Sequence, residues 1–443
     1  MSCTTTEGEK LIAKEKKELT IKQIVSQKAY WIKSFLATIF IFLFMGFAGQ
    51  FLAIFDFLDP IGEALEGYEI TDQVFSNPTW REVPAAEEDI VIVNIGMLPR
   101  RGIAEQINII NSFGPKVIGL DANFRTLKPD TLGDMMLADA LANTPNIVMY
   151  EKLIDPNDEG IWQDNILPNP IFVQDHPTAS VNLIIEDAGA QQYNFKTCRS
   201  FFPREYLNNP VTNEIDTVLG FGVALANYLK PENVEALFAR QNEEELINYK
   251  GNVIDFGRTR LGTRFYALDV YDVLDTMFTP DLIKDKIILM GFLGADFGDS
   301  RSFEDKYFTP LNKVQAGRAN PDMFGVVVHA NIISMILQND YLDNMTDYSS
   351  YVLAFIICFL NVLLFTIIYT KWSKWYDGVT KLIQLLQVMV FVFAIILSFH
   401  LYNFKLNLTF AIIAVLLAGD VLEVFYGFVV NAYCWILSKL KKN

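Results

Sequence analysis

The sequence predicts an α/β extracytoplasmic domain with a largely parallel or mixed sheet, plus four transmembrane helices, one before the domain and three after. Three observations predict it. Four apolar windows are each long enough to cross a bilayer, which takes about 20 residues. Residues 56–348, between the first and second windows, contain no such window. Within that stretch, short β-branched runs alternate with helical patterning, the signature of strand–helix–strand units.

The first window runs from Trp31 to Phe55, after a lead rich in lysine. Its "FAGQ" offers the small residues of a signal peptide, but the long basic lead reads as an uncleaved anchor. "DIVIVNIG" (Asp89 to Gly96) reads as a buried strand. "RRGIAEQINIINSFG" has helical spacing and a stop at Gly114. "PKVIGLDANF" is a second strand ending at Asp121, "TLGDMMLADALANT" a second helix and "NIVMYEKL" a third strand. Ile154 to Pro210 reads as loops and edge strands. "TVLGFGVALANYL" and "ALDVYDVLD" read as helices, and "ELINYKG" and "KDKIILMGF" as strands. "GVVVHANIISMIL" (Gly325 to Leu337) reads as a strand turning into a helix at His329.

Lysine placement orients the chain. The lead, the segment after the second window (Lys371, Lys374, Lys381) and the end (Lys439, Lys441, Lys442) can all be cytoplasmic at once. The expected division is a basic cytoplasmic segment (1–30), a first transmembrane helix (31–55), the outer domain (56–348) and a second helix (349–370). A cytoplasmic loop (371–383), two further helices (384–402 and 408–430) and a basic tail (431–443) follow. Between Asp56 and Asp347 stand 45 acidic against 22 basic residues; elsewhere there are 7 against 14. An outer region this acidic excludes nucleic acid as a partner, since phosphate binding needs a basic surface. Cys198 is the outer region's single cysteine, so its fold rests on its core rather than on an internal disulfide.

The ordered set "DIVIVNIG", "GPKVIGLDANF", "ELINYKG", "IKDKIILMG", Thr309-Pro310 and "GVVVHANIISMIL" resembles the CHASE extracytoplasmic sensory domain of the second type. The resemblance covers Asp89 to Leu342, and one span before with three after matches the family's layout. The family's Asp-Gly-Arg segment before the mid-domain helix has no clear counterpart; "CRSFFPREYLNN" is read as its diverged remnant. Family members usually carry a cytoplasmic output domain, and the short cytoplasmic parts here are too small to bury a core. The resemblance therefore implies a stand-alone sensor in a bacterial inner membrane, N-in and C-in. It would bind a small molecule or envelope component outside and signal through its helices to a separate partner protein. The other open reading is a non-sensory accessory or scaffold subunit of an envelope membrane-protein complex.

The candidate ligand residues are Asp121, His329, Asn331 and Asp299. Asp121 falls at a strand's carboxyl end, where open α/β sheets bind ligands. His329 has three readings, a structural junction, a ligand contact or catalysis, and Asn331 lies near the expected helix start. Asp299 belongs to the acidic loop "GADFGDSRSFED" with Asp296, Glu304 and Asp305, a set suited to a cation or cationic ligand. "DPNDEG" starts like a calcium loop, but the twelfth position is Ile166. "GFGVALA" lacks the full dinucleotide fingerprint and a clear strand leading into it. No metal site, cofactor motif or nucleophile motif is expected, and so no enzyme. In the membrane, Asp420 and Glu423 share a face of the fourth span, with Asn361 of the second as a neutral partner. Ionisable groups there are costly, so either Asp420 lies near an interface or faces the bundle, or the two acids dock a partner membrane protein or take part in proton or ion coupling.

Overall fold

The computed structural model describes residues 21–52, 69–77, 80, 85–187, 196–209, 212, 214–253, 264–295, 305–312, 320–432 and 435. They form two units, Met1–Gly62 with Asn344–Asn443, and Glu63–Asp343. Helix α1 (Lys28–Leu52) belongs to the first.

The second unit is built on a nine-stranded, mostly parallel sheet. At one end of it β1 (Glu87–Asn94) runs parallel between the edge strand β11 (Phe265–Leu268) and β12 (Ile287–Gly291). Beyond β12 come β2 (Val117–Leu120) and β3 (Ile147–Pro156), also parallel, and β5 (Thr178–Ser180) pairs with the middle of β3. The far half of β3 turns antiparallel to β4 (Trp162–Ile166), which leads to β8 (Arg204–Asn208) and β9 (Ile215–Leu219). Ile90 to Val93 are fully buried, as a parallel strand paired on both sides and covered on both faces requires. Away from this sheet, β6 (Ile184–Asp187) and β10 (Glu245–Leu246) flank β7 (Lys196–Phe201).

One face is covered by α2 (Arg100–Ser112) and α3 (Thr131–Ala142), whose Ile103, Ile107 and Leu137 join the core with Val91 and Leu120. On the other lie α4 (Phe221–Leu229) and, after α5 (Pro231–Ala239) and the short α6 (Val270–Leu274), α7 (Gly325–Gln338). Contact there is close enough to demand glycine. A Cβ on Gly119 of β2 would stand 2.5 Å from Leu225 of α4, and one on Gly222 of α4 2.8 Å from Ile332 of α7.

Three readings of the sequence are corrected. The run "GVVV" is the first turn of α7, and the strand before it, β14, is Met323–Phe324, paired with β13 (Lys306–Tyr307). Gly325 to Leu337 are all buried. A helix apolar on every side carries no helical stripe, and tertiary packing overrides the β preference of valine. "TVL" is the end of β9, laddered to β8, so a strand does lead into "GFGVALA". Likewise "AL" of "ALDVYDVLD" ends β11.

A buried network secures the sheet's amino edge. Glu87 Oε2 accepts from Arg264 Nη2 (3.1 Å), Ser334 Oγ (2.5 Å) and Gln338 Nε2 (2.8 Å). It ties the starts of β1 and β11 to α7.

In the other unit, α8 (Asp347–Lys371), α9 (Tyr376–Tyr402) and α10 (Thr409–Val424) join α1; a π-helical turn, Phe425–Val430, continues α10. Among the described residues four helical segments are long and apolar enough to cross a membrane: Lys28–Phe47, Asp347–Lys371, Ser373–Tyr402 and Thr409–Val430. Tyr351 packs on Phe410, and Thr366 meets Tyr426. α8 and α10 thus run side by side in the same direction.

Candidate functional site

Strands β1, β12, β2 and β3 are parallel, so their carboxyl ends share one edge. Asn94, at the end of β1, organises it. Its Nδ2 donates to Asp269 Oδ1 (2.8 Å) and Gly294 O (3.1 Å), and its Oδ1 accepts from Gly96 N and Leu293 N (both 2.9 Å). Three chain turns are thus fixed by one fully buried amide.

Asp121 follows β2 directly, its backbone N–H bonded to Met290 O of β12 at 2.9 Å. It is half-buried, beside Gly291 and close to the start of α7. Asp305 precedes β13, and its carbonyl accepts from Gly325 N at 3.0 Å. Its carboxyl oxygens lie 3.2 and 3.4 Å from where a Cβ on Gly325 would stand, over the amino end of α7. The positive end of that helix favours negative charge there.

The two carboxyls feel one another. Burial and then the charge of Asp305 push the Asp121 carboxyl far above the usual carboxylate range. Asp305 is exposed as a residue, yet desolvation of its carboxyl raises it as well, against the pull of Lys152. Burial and then these two acids raise the Tyr150 phenol to about 12, and the same causes raise Tyr307. Two acids, two phenols and one lysine therefore converge on the sheet's carboxyl edge. Such a pair can share a proton or receive a cationic group. The sequence points to Asp121 through its strand end; Tyr150, Lys152 and Tyr307 carry no local signal.

His329 and Asn331 stand elsewhere. His329 lies inside α7, 3% exposed, with its ring edge-on to Phe221 of α4 at 5.2 Å. Its Nδ1 has no hydrogen-bond partner, and burial holds its pKa down at about 4, so it is neutral at ordinary pH. Asn331 spends its amide on the chain beside it. Its Oδ1 accepts from Lys250 N (2.8 Å), and its Nδ2 donates to Gly251 O (3.0 Å) and Val327 O (2.9 Å). Asp299, with Asp296 and Glu304, lies outside the described residues. "DPNDEG" is a polar turn: Asn157 Oδ1 accepts from Glu159 N and Ile161 N. Thr309-Pro310 is a buried turn in which Asp322 accepts from the Thr309 amide (2.9 Å) and hydroxyl (2.6 Å). Arg199 of "CRSFFPREYLNN" is paired with Asp72 at 2.8 Å, both buried. Among the described residues there is no group of three or more His, Cys, Asp or Glu side chains placed to hold a metal.

In the membrane unit, Asp420 has a basic partner. Lys381 Nζ donates to both of its carboxyl oxygens, at 2.7 and 2.6 Å. Hydropathy marks where the apolar stretch starts, at Gln384, but the helix itself starts at Tyr376, so Lys381 is carried within α9. Gln384 donates to Val415 O (2.8 Å) and Tyr376 to Gly419 O (3.0 Å), fastening α9 to α10. Asn361 is buried in α8 and donates to Ile357 O of its own helix. Glu423 is exposed on α10, near Asp377 of α9.

Residues 38–368 match the model of the CHASE2 domain. The chain belongs to the CHASE2 domain family. The match begins in α1 and ends in α8, beyond both limits of the resemblance read from motifs. A CHASE2 domain is an extracellular sensory domain, and neither an output domain nor a catalytic domain is detected within the 443 residues. No curated protein and no solved structure matches the chain. The CHASE2 protein is thus a membrane protein with four candidate spans around a sensory domain.

Proposed function

We propose that this CHASE2 protein is a membrane-anchored sensor that binds a small molecule or envelope component at the sheet's carboxyl edge. Binding shifts the packing of its membrane helices, and a separate partner protein reads the shift. The observation that carries this reading is the Asp121–Asp305 pair beside Tyr150, Tyr307 and Lys152. Desolvated acids that feel one another's charge cost energy, and such perturbed groups cluster at functional sites. A ligand moves such a protein only by its difference in affinity between two states. The chain is oriented N-in and C-in in a bacterial inner membrane, with the domain outside.

Native mass spectrometry of the full chain, released from its own membrane, tests the site. A bound mass kept by the wild type and lost in Asp121→Asn supports it. No bound mass, or the same mass in both, contradicts it.

A second reading, an accessory subunit of an envelope complex, is favoured by the Lys381–Asp420 pair. Its side chains are 54% and 63% exposed on the bundle. Asp420 also stands near the level of Asn361, by the register of Tyr351 on Phe410 and Thr366 on Tyr426. An ion pair facing hydrocarbon at that depth is costly, and a partner helix covers it in this reading. Loss of a co-purifying membrane protein in Asp420→Asn, with Asp121→Asn unaffected, would select this reading.

A further inference from the structure

The second site lies away from the edge just described. Between the β3–β4–β8–β9 part of the sheet and α4 is an open groove of about 790 Å³. That is within the size range of small-molecule sites, roughly 300–1,000 Å³. Its walls pair apolar patches (Leu167, Leu207, Val218) with hydrogen-bonding side chains (Asn165, Asn227, Tyr228). Among the described residues no lysine, arginine or histidine lines it, whereas Glu151 and Asp216 do.

A third acid stands behind the wall. Glu205 of β8 is 4% exposed and pairs across the ladder with Val218 of the groove wall; burial, and after it the charge of Glu151, raise its carboxyl to about 7 against hydrogen bonds from Ser180, Trp162 and Asn182. Its Oε1 is buried without a hydrogen-bond partner. Glu151 is held in place rather than neutralised, since it accepts from neutral groups only, Asn165 Nδ2 (2.8 Å) and Thr178 Oγ1 (2.6 Å). Asp216 accepts from Asn209 Nδ2 at 2.7 Å and is otherwise exposed. Among the described residues no ion pair engages any of the three. Glu151 and Asp216 on an open groove, with amides and a phenol at its rim, disfavour anions and complement a cation that also donates hydrogen bonds.

We propose that this groove binds a small organic amine, with Glu151 and Asp216 receiving its ammonium groups and the amides of Asn165 and Asn227 its remaining polar atoms. The proposal does not depend on the sheet-edge site. The groove closes on α4, whose Phe221 packs on His329 of α7, so an amine held there would bear on the helix layer of the domain.

The test is isothermal titration of the full chain in detergent with spermidine, glucosamine and, as a neutral comparison, glucose. Spermidine or glucosamine should bind while glucose does not. Asp216→Asn and Glu151→Gln should each weaken amine binding about tenfold or more, the effect of losing one charge-assisted contact. Asp216 is exposed, so Asp216→Asn leaves the fold intact, and it is the decisive variant should Glu151→Gln unfold. Asp121→Asn should leave amine binding unchanged, which separates this site from the sheet edge. Absence of amine binding, equal binding of glucose, or amine binding untouched by Asp216→Asn would each overturn the proposal.

Discussion

Replacing Glu87 by glutamine tests what holds α7 to the sheet. The change keeps the side chain's shape and removes its charge. Glu87 and Arg264 are each 5% exposed, so the pair is desolvated on both sides. Glutamine can still accept one or two of the three hydrogen bonds that reach Oε2, from Arg264, Ser334 and Gln338. Arg264 then keeps its bond to Ala85 O and the weaker influence of Asp340, but loses its paired carboxylate, and its Nε already lacks a partner. Breaking a buried ion pair by removing one partner costs about 3–5 kcal/mol. Thermal and denaturant unfolding of the full chain in detergent, followed by fluorescence, would measure it. The double variant Glu87→Leu with Arg264→Met should recover much of the loss, because no orphaned charge remains. A loss under about 1 kcal/mol, the scale of an exposed pair, would refute the reasoning, as would a double variant whose loss is the sum of the singles.

Further outcomes follow from the same structure. Burial raises the Asp322 carboxyl from 3.8 to about 7. A raised acid contributes stability that is full below its unfolded value and lost as pH rises through its folded one, so stability should fall between pH 4 and 7, and Asp322→Asn should flatten that fall in a pH series of unfolding curves. His329 has the opposite sign: its pKa is lowered from 6.5 to about 4, so its contribution is full above pH 6.5 and lost as pH falls towards 4. His329→Phe should remove that acid-side loss and leave stability near pH 7 within about 1.5 kcal/mol, since the ring fills an apolar site against Phe221. Gly119→Ala drives a methyl to within 2.5 Å of Leu225 and should cost about 1–3 kcal/mol in the same unfolding assay.

Much of the domain is legible in the sequence because its strands and outer helices have regular periods. β1, β2, β3 and β12 are β-branched runs with turn signals on both sides, and α2 shows one apolar face. α7 escapes that reading because both its faces are buried, leaving no period to detect, and β9 because its exposed residues lack alternation. Asp121 is visible as a strand-end acid. Its neighbours are not, since Asp305, Tyr150 and Tyr307 come from distant segments that only the tertiary fold assembles. Asn331 is misleading for a physical reason: an amide inside a helix that serves a neighbouring loop has the same sequence appearance as one facing a ligand. Lys381 is hidden because hydropathy locates the apolar stretch and not the helix that extends past it.

The measurement that bears most directly on the sensor account is disulfide crosslinking within the bundle in native membranes. Cysteines at Tyr351 with Phe410, and at Thr366 with Tyr426, report the contact of α8 with α10. Crosslink yield is compared between intact cells and washed membranes stripped of outer solutes, for the wild type and for Asp121→Asn. The account predicts a yield that changes on washing in the wild type and not in the variant. Identical yields before and after washing in the wild type would contradict it.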